Sequence, residues 1–215
     1  SDVCSSDLGF AMCHGDVFAW LNADDTYLPG AVAKAVERLR ANPDAGVVYG
    51  RANWVDAGGS IIAAYPTRPF ASTLLQRECF ICQPAVFIRA RAFRDAGGLD
   101  VSLSCSFDYD LWIRLSRHHR FDFIEERLAT SRMHASNKTL GGRRQVFEEA
   151  MTVLARHYGF VPFQLLYSYF CYLRDGGDQF YTPLRPSLTA YVKALPAGLR
   201  RSEEHTSELQ SRHNL

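Results

Sequence analysis

Apolar and polar positions along this chain fall into short blocks whose period changes repeatedly. Val17–Leu21 is an apolar run of strand length that leads directly into two adjacent carboxylates, Asp24 and Asp25. Pro29-Gly30 opens a helix with Val32, Val36 and Leu39 on one face, and Asn42-Pro43 ends it. Gly46–Tyr49 predicts a second strand, Ala57-Gly58-Gly59 a turn, and Phe70–Gln76 a short helix. Ala85–Ile88 predicts a strand, and Ala90–Ala96 a helix stopped by Gly97-Gly98. Asp108–Arg117 reads as a helix in which Asp110 and Arg114, at i and i+4, form a favourable exposed pair. Phe121–Ile124 predicts a further strand and Arg143–Tyr158 a helix. Strands and helices that alternate in this way predict an α/β fold with a mixed sheet.

Phe160–Leu199 changes character. It carries Phe160, Phe163, Tyr167, Tyr169, Phe170, Tyr172, Phe180 and Tyr181, interrupted by Asp175-Gly-Gly-Asp178. One reading is a helix packed on the domain or on protein that follows. The other is an amphipathic element resting on a membrane surface. Sparse basic residues favour the first.

The two ends are expected to be foreign to the fold. DNA encoding Arg201-Ser-Glu-Glu-His-Thr-Ser-Glu208 encodes, on its opposite strand, Ser1-Asp-Val-Cys-Ser-Ser-Asp-Leu8, and it resembles a common short-read sequencing adapter. Residues 1–8 and 201–215 are therefore read as artefact. The expected organisation is a partial catalytic domain over 9–140 and a helical extension over 141–200, within a longer gene.

Composition narrows the partners. A hydrophobic content of 47% suits one globular domain with a sizeable core. A net charge of +1 gives no reason to expect nucleic acid as a partner. No apolar run is long enough to cross a bilayer. With Cys4 in the adapter-like segment, Cys13, Cys79, Cys82, Cys105 and Cys171 remain, scattered through apolar stretches. That pattern favours reduced thiols in a cytosolic setting over a disulfide framework. Cys79-Phe-Ile-Cys82 has zinc-like spacing but no second pair, and it sits where free cysteine serves as a small hydrophobe.

The chemistry concentrates at two acidic sites. Like charges at Asp24 and Asp25 persist most readily where a cation or a ligand hydroxyl compensates them. A capped turn entering the next helix would also explain them. Asp108-Tyr109-Asp110 is the second cluster, at the head of a helix, where Asp108 is either a reactive carboxylate or a cap. One carboxylate site for a metal-bound phosphate and one for proton transfer would account for both.

The ordered series Gly15-Asp-Val-Phe-Ala-Trp-Leu-Asn-Ala-Asp-Asp25, Gln83-Pro-Ala-Val-Phe87, Gly97-Gly-Leu-Asp100, Asp108-Tyr-Asp-Leu-Trp-Ile-Arg-Leu115 and Arg132-Met-His134 resembles family 2 glycosyltransferases of the GT-A fold. The likeness covers most of Gly9–Thr139. It implies inverting transfer of a sugar from a nucleotide-diphosphate sugar to a sugar or lipid-linked glycan acceptor, with Mg²⁺ or Mn²⁺ bridging the diphosphate. Asp25 matches the metal-binding position, and Asp24 the position that contacts ribose or supports the metal. Asn22 stands where the motif usually has its first aspartate. Asp108 aligns with the catalytic base, preceded by Phe107 where the family often has Glu. His134 matches a further metal ligand or diphosphate contact, Arg132 and Lys138 offset diphosphate charge, and Gln83 lines the donor or acceptor site. Tyr109 faces the acceptor cleft, and Trp112 belongs to the core.

The resemblance also implies a nucleotide-binding βαβ half before Gly9, which this chain lacks, so the fragment is expected to be inactive. Its setting by family habit is cell-envelope or exopolysaccharide synthesis in the cytoplasm, at the inner membrane face. A sugar nucleotidyltransferase and a catalytically dead sugar-nucleotide binding module are the alternatives.

Overall fold

The computed structural model describes residues 3–177, 179–180 and 183–196. The chain divides into two compact units, Ser1–Asn137 and Lys138–Leu215. The expectations placed on Asp178, Tyr181, 197–200 and the adapter-like tail lie outside the described residues.

The first unit is built on a mixed six-stranded sheet. After helix α1 (Val3–Ala11) come β1 (Val17–Phe18), β2 (Thr26–Tyr27), α2 (Ala31–Ala41), β3 (Ala45–Val55), β4 (Ile61–Ala64) and α3 (Ser72–Leu75). A 3-10 turn over Gln83–Ala85 leads into β5 (Val86–Arg89), α4 (Ala90–Asp95), α5 (Phe107–Ser116) and β6 (Arg120–Arg132). The strand order is β1-β5-β3-β6-β2, with β4 paired to β3 beyond that path. Among the described residues only β3 and β6 pair in parallel, and the other ladders are antiparallel.

The strands expected at Gly46–Tyr49 and Phe121–Ile124 are in place but too short. β3 runs on through Arg51 and Asn53 to Val55, and β6 runs through Glu125, Glu126 and Arg127 to Arg132. Polar residues interrupt the apolar pattern at these places, but the β3–β6 ladder holds both strands extended. β1 is shorter than expected, because the chain leaves the ladder after Phe18 and turns through 19–25. The hairpin strand β4 had too brief an apolar run to be read.

Helix α2 starts after Gly30, whose φ of 79° needs a residue without a Cβ. It buries Ala31, Ala35 and Leu39 rather than the expected Val32, Val36 and Leu39, and Val32 is half exposed. The sheet face beneath is filled by Val48, Phe87, Ile124 and Leu128, so small side chains let the helix sit close. Gly97 and Gly98 end α4 at φ 82° and 74°, as their pairing predicts.

Asp110 and Arg114 do pair, Oδ2 to Nε at 2.7 Å, but Asp110 is buried rather than exposed. The helix turns this face inward with Leu111 and Trp112, and the Arg114 guanidinium also donates to the Ala96 carbonyl. Trp112 is in the core as expected.

The second unit contains α6 (Lys138–Gly141), α7 (Arg143–Tyr158), α8 (Phe163–Asp175) and a helical segment over 188–196. Helix α7 has the predicted bounds. Met151, Val161, Leu166 and Ala194 form the buried cluster of this unit.

Two substitutions test the packing. A Cβ on Gly50 would lie 2.5 Å from Leu128 Cγ and 2.9 Å from the Glu126 carbonyl oxygen, so Gly50→Ala should cost roughly 1–3 kcal/mol in urea unfolding. Asp110→Ala leaves Arg114 short of its counter-charge and should cost about 3 kcal/mol by the same measurement.

Candidate active site

The site forms where the chain between β1 and β2 meets the end of β6. Thr26 pairs with Thr130 and Tyr27 with Ala129, which sets Asp25 beside Arg132 although they are far apart in sequence. Asp25 Oδ1 accepts the Arg132 backbone N–H at 2.9 Å, and Oδ2 accepts Asn22 Nδ2 at 3.0 Å. The same Asn22 amide donates to Gln83 Oε1 at 3.1 Å, while Gln83 Nε2 donates to the Trp20 carbonyl at 2.6 Å. Asn22, Asp25 and Gln83 thus form one partly buried network joining the loop to the 3-10 turn.

Burial pushes the Asp25 carboxyl above its ordinary value, and the neighbouring Asp24 charge adds to the rise. Hydrogen bonds from Arg132, Asn22 and Ser131 work against it. Charged Asp25 therefore needs donors or a counter-charge.

Asp24 points elsewhere. Its Oδ2 lies 3.0 Å from His134 Nε2, and the His134 Nδ1 is 2.8 Å from Ser136 Oγ. The side chains of Asp24 and His134 are 35% and 29% exposed, so the pair opens to solvent. A carboxylate oxygen 3.0 Å from an imidazole nitrogen at a half-open position is a donor pair that could hold a divalent cation such as Mn²⁺. Among the described residues no group of three His, Cys, Asp or Glu side chains converges on one point.

Arg132 turns its guanidinium to backbone carbonyls. Its Nε donates to the Asp24 carbonyl at 3.0 Å, and its Nη1 to the carbonyls of Asp56 and Ala57. The guanidinium ties the acidic loop to the turn between β3 and β4. Asn137 Nδ2 in turn donates to the Arg132 carbonyl at 2.8 Å. Ser131, Ser136 and Asn137 were not anticipated, although the polar run around His134 was a signal. Lys138 opens α6 of the second unit.

Asp108 lies in the first turn of α5 and accepts the Tyr109 N–H at 2.7 Å. The cap position belongs to Ser106. Phe107 is buried, which explains an apolar residue beside the carboxylate. Tyr109 does not face a cleft: it is buried and its hydroxyl donates to the Leu75 carbonyl. Helix α2 is likewise capped by Gly30, so the Asp24-Asp25 pair does not serve as its cap. The two acidic sites are neighbours of one thiol: the charges of Asp25 and Asp108 both raise buried Cys82, after desolvation itself. Cys79 and Cys82 are free, and burial holds both thiols well above the usual range, in keeping with their reading as small hydrophobes.

Comparison with known proteins now bears on this geometry. Residues 5–96 match the family model "Glycosyl transferase family 2". An uncharacterized glycosyltransferase of Rickettsia felis is 29% identical over 143 residues, covering 61% of this chain and 24% of that protein. The chondroitin synthase of Escherichia coli is 25% identical over 136 residues, covering 63% and 20%. The chain thus spans a quarter or less of the length of these two relatives. The mannosyltransferase PcManGT from Pyrobaculum calidifontis, solved in complex with GDP-Man and Mn²⁺, superposes with a TM-score of 0.52 at 14% identity, covering 100% of this chain and 59% of that one. The fold is GT-A, and the matches support a family 2 glycosyltransferase.

Asn22→Asp should expose the electrostatics of the site. It replaces a donor to Asp25 with a like charge, so the Asp25 carboxyl should titrate higher still in ¹³C NMR. A carboxyl raised in the folded state lends stability that is present below 3.8 and is lost as pH climbs through the raised value. Urea midpoints across that range should therefore fall more steeply with pH in Asn22→Asp than in the parent.

Proposed function

We propose that the chain carries the metal and base portion of an inverting glycosyltransferase, which moves a sugar from a nucleotide-diphosphate sugar to an acceptor hydroxyl in polysaccharide or cell-envelope synthesis. The observation that carries this reading is the Asp24–His134 pair, 110 positions apart in sequence and 3.0 Å apart in space. These two side chains would be the direct contacts of a divalent cation. Asp25, desolvated and bonded to Asn22 and to β6, fixes the loop and adds negative charge behind them. This division departs from the expectation that Asp25 is the main ligand.

Asp24 and His134 would hold a divalent cation, which would supply positive charge against the leaving nucleotide diphosphate. Arg132 positions the loop through the Asp24 carbonyl, and Gln83 and Asn22 hold it from the other side. Asp108 takes the proton from the acceptor hydroxyl as that oxygen bonds to the anomeric carbon and the bond to the diphosphate breaks.

The test is nucleotide-sugar turnover and transfer by the full gene product with Mn²⁺. Asp108→Asn should lower kcat by roughly 10²–10⁴-fold. Asp24→Ala and His134→Ala should weaken Mn²⁺ binding, read by the Mn²⁺ electron paramagnetic resonance signal, with Arg132→Lys affecting it less. Turnover that survives both Asp24→Ala and Asp108→Asn overturns the assignment.

A further inference from the structure

Just past the end of β6, His134 sits in a turn that is pinned on both sides. The Met133 N–H donates to the Val55 carbonyl at 2.8 Å, and the Asn137 N–H returns to the His134 carbonyl at 3.0 Å. Asn137 Nδ2 also holds the Arg132 carbonyl at 2.8 Å. The backbone is thus fixed, but the His134 side chain is 29% exposed, so packing alone does not hold the ring. Its two nitrogens meet different partners: Nε2 lies 3.0 Å from Asp24 Oδ2, and Nδ1 lies 2.8 Å from Ser136 Oγ. A half-turn of the imidazole would put carbon at both places. Each bond therefore selects the same ring orientation.

Proton bookkeeping separates the two partners. A carboxylate only accepts, so Nε2 carries its hydrogen toward Asp24. In the neutral ring Nδ1 is then bare, and the Ser136 hydroxyl donates to it. Were Nε2 to face a cation it would have to be bare, and the ring hydrogen would sit on Nδ1, where Ser136 Oγ accepts it. A hydroxyl serves both cases by rotating one hydrogen, whereas a backbone N–H or a carbonyl serves only one. We propose that Ser136 is a positioning residue of the candidate site: it holds the His134 ring in one orientation and accepts either tautomer, so that Nε2 can be offered to Asp24 or to a divalent cation without the ring turning. The part that concerns the cation rests on the proposed glycosyl-transfer reading. The part that concerns the ring does not.

The experiment is long-range ¹H–¹⁵N NMR of the histidine rings in the whole chain without metal, at about pH 8, above the ordinary imidazole range. His134→Gln identifies the His134 signals, and Mn²⁺ titration read by electron paramagnetic resonance follows. Parent His134 should show one tautomer, with its hydrogen on Nε2. Ser136→Ala should show the two tautomers averaged, and Ser136→Thr, which keeps the hydroxyl, should restore the parent pattern. Ser136→Ala should also weaken Mn²⁺ binding roughly tenfold or more, with Ser136→Thr close to the parent and all circular dichroism spectra alike. An unchanged His134 pattern in Ser136→Ala overturns the proposal, and so does an averaged pattern in the parent. Equal Mn²⁺ binding by the parent and Ser136→Ala overturns its cation half. A parent that binds no Mn²⁺ overturns the metal reading of the site together with that half, and the role of Ser136 in holding the ring is then decided by the NMR pattern.

Discussion

A carboxylate taken out of water must find donors, and Asp25 is where this fold meets that demand. Its two oxygens accept the Arg132 backbone N–H and the Asn22 amide. The first bond closes the seam between β2 and β6, and the second recruits Gln83 from the turn before β5. Three segments remote in sequence are thus held by one desolvated side chain. Asp24 is the exposed half of the same arrangement, because the loop that buries Asp25 turns its neighbour toward His134. A chain that did not bury Asp25 would have no reason to hold Asp24 and His134 together.

Much of the architecture was legible along the chain. Helices whose ends carry Gly or Pro were readable: Gly97-Gly98 closes α4, and Pro29-Gly30 precedes α2. Helix α7 matched because its apolar period is unbroken. The long strands were only half readable. β3 and β6 are held by hydrogen bonds to each other, and a ladder accepts Arg51 or Glu126 without regard to hydropathy. The face of α2 was misread for a related reason. Which stripe is buried depends on the space above the sheet, and that space admits alanine better than valine.

For the candidate site, the sequence showed which residues gather but not what each side chain bonds. Asn22, Asp24, Asp25, Gln83, Arg132 and His134 gather in one region, but sequence could not say that Arg132 spends its guanidinium on carbonyls. Long polar side chains reach several partners from one backbone position, so spacing alone leaves their targets open. The buried Asp110–Arg114 pair and Tyr109, whose hydroxyl holds the Leu75 carbonyl, were misplaced for the same reason.

The irregular stretch of the β3–β6 ladder sets where the end of β6 falls. Gly50 faces Ile124 and Ala52 faces Ala129, so β6 advances five residues while β3 advances two. Leu128 fills the space that Gly50 leaves beside it. Beyond this point every rung, from Ala129 to Arg132, is indexed by that slack. Removing one residue from the irregular stretch of β6 at 125–128 would shift the residues after it by one step and turn them to the opposite side of the strand line. A side chain exchanged in this stretch keeps the register, whereas a residue gained or lost displaces the end of β6 on which the candidate site is built.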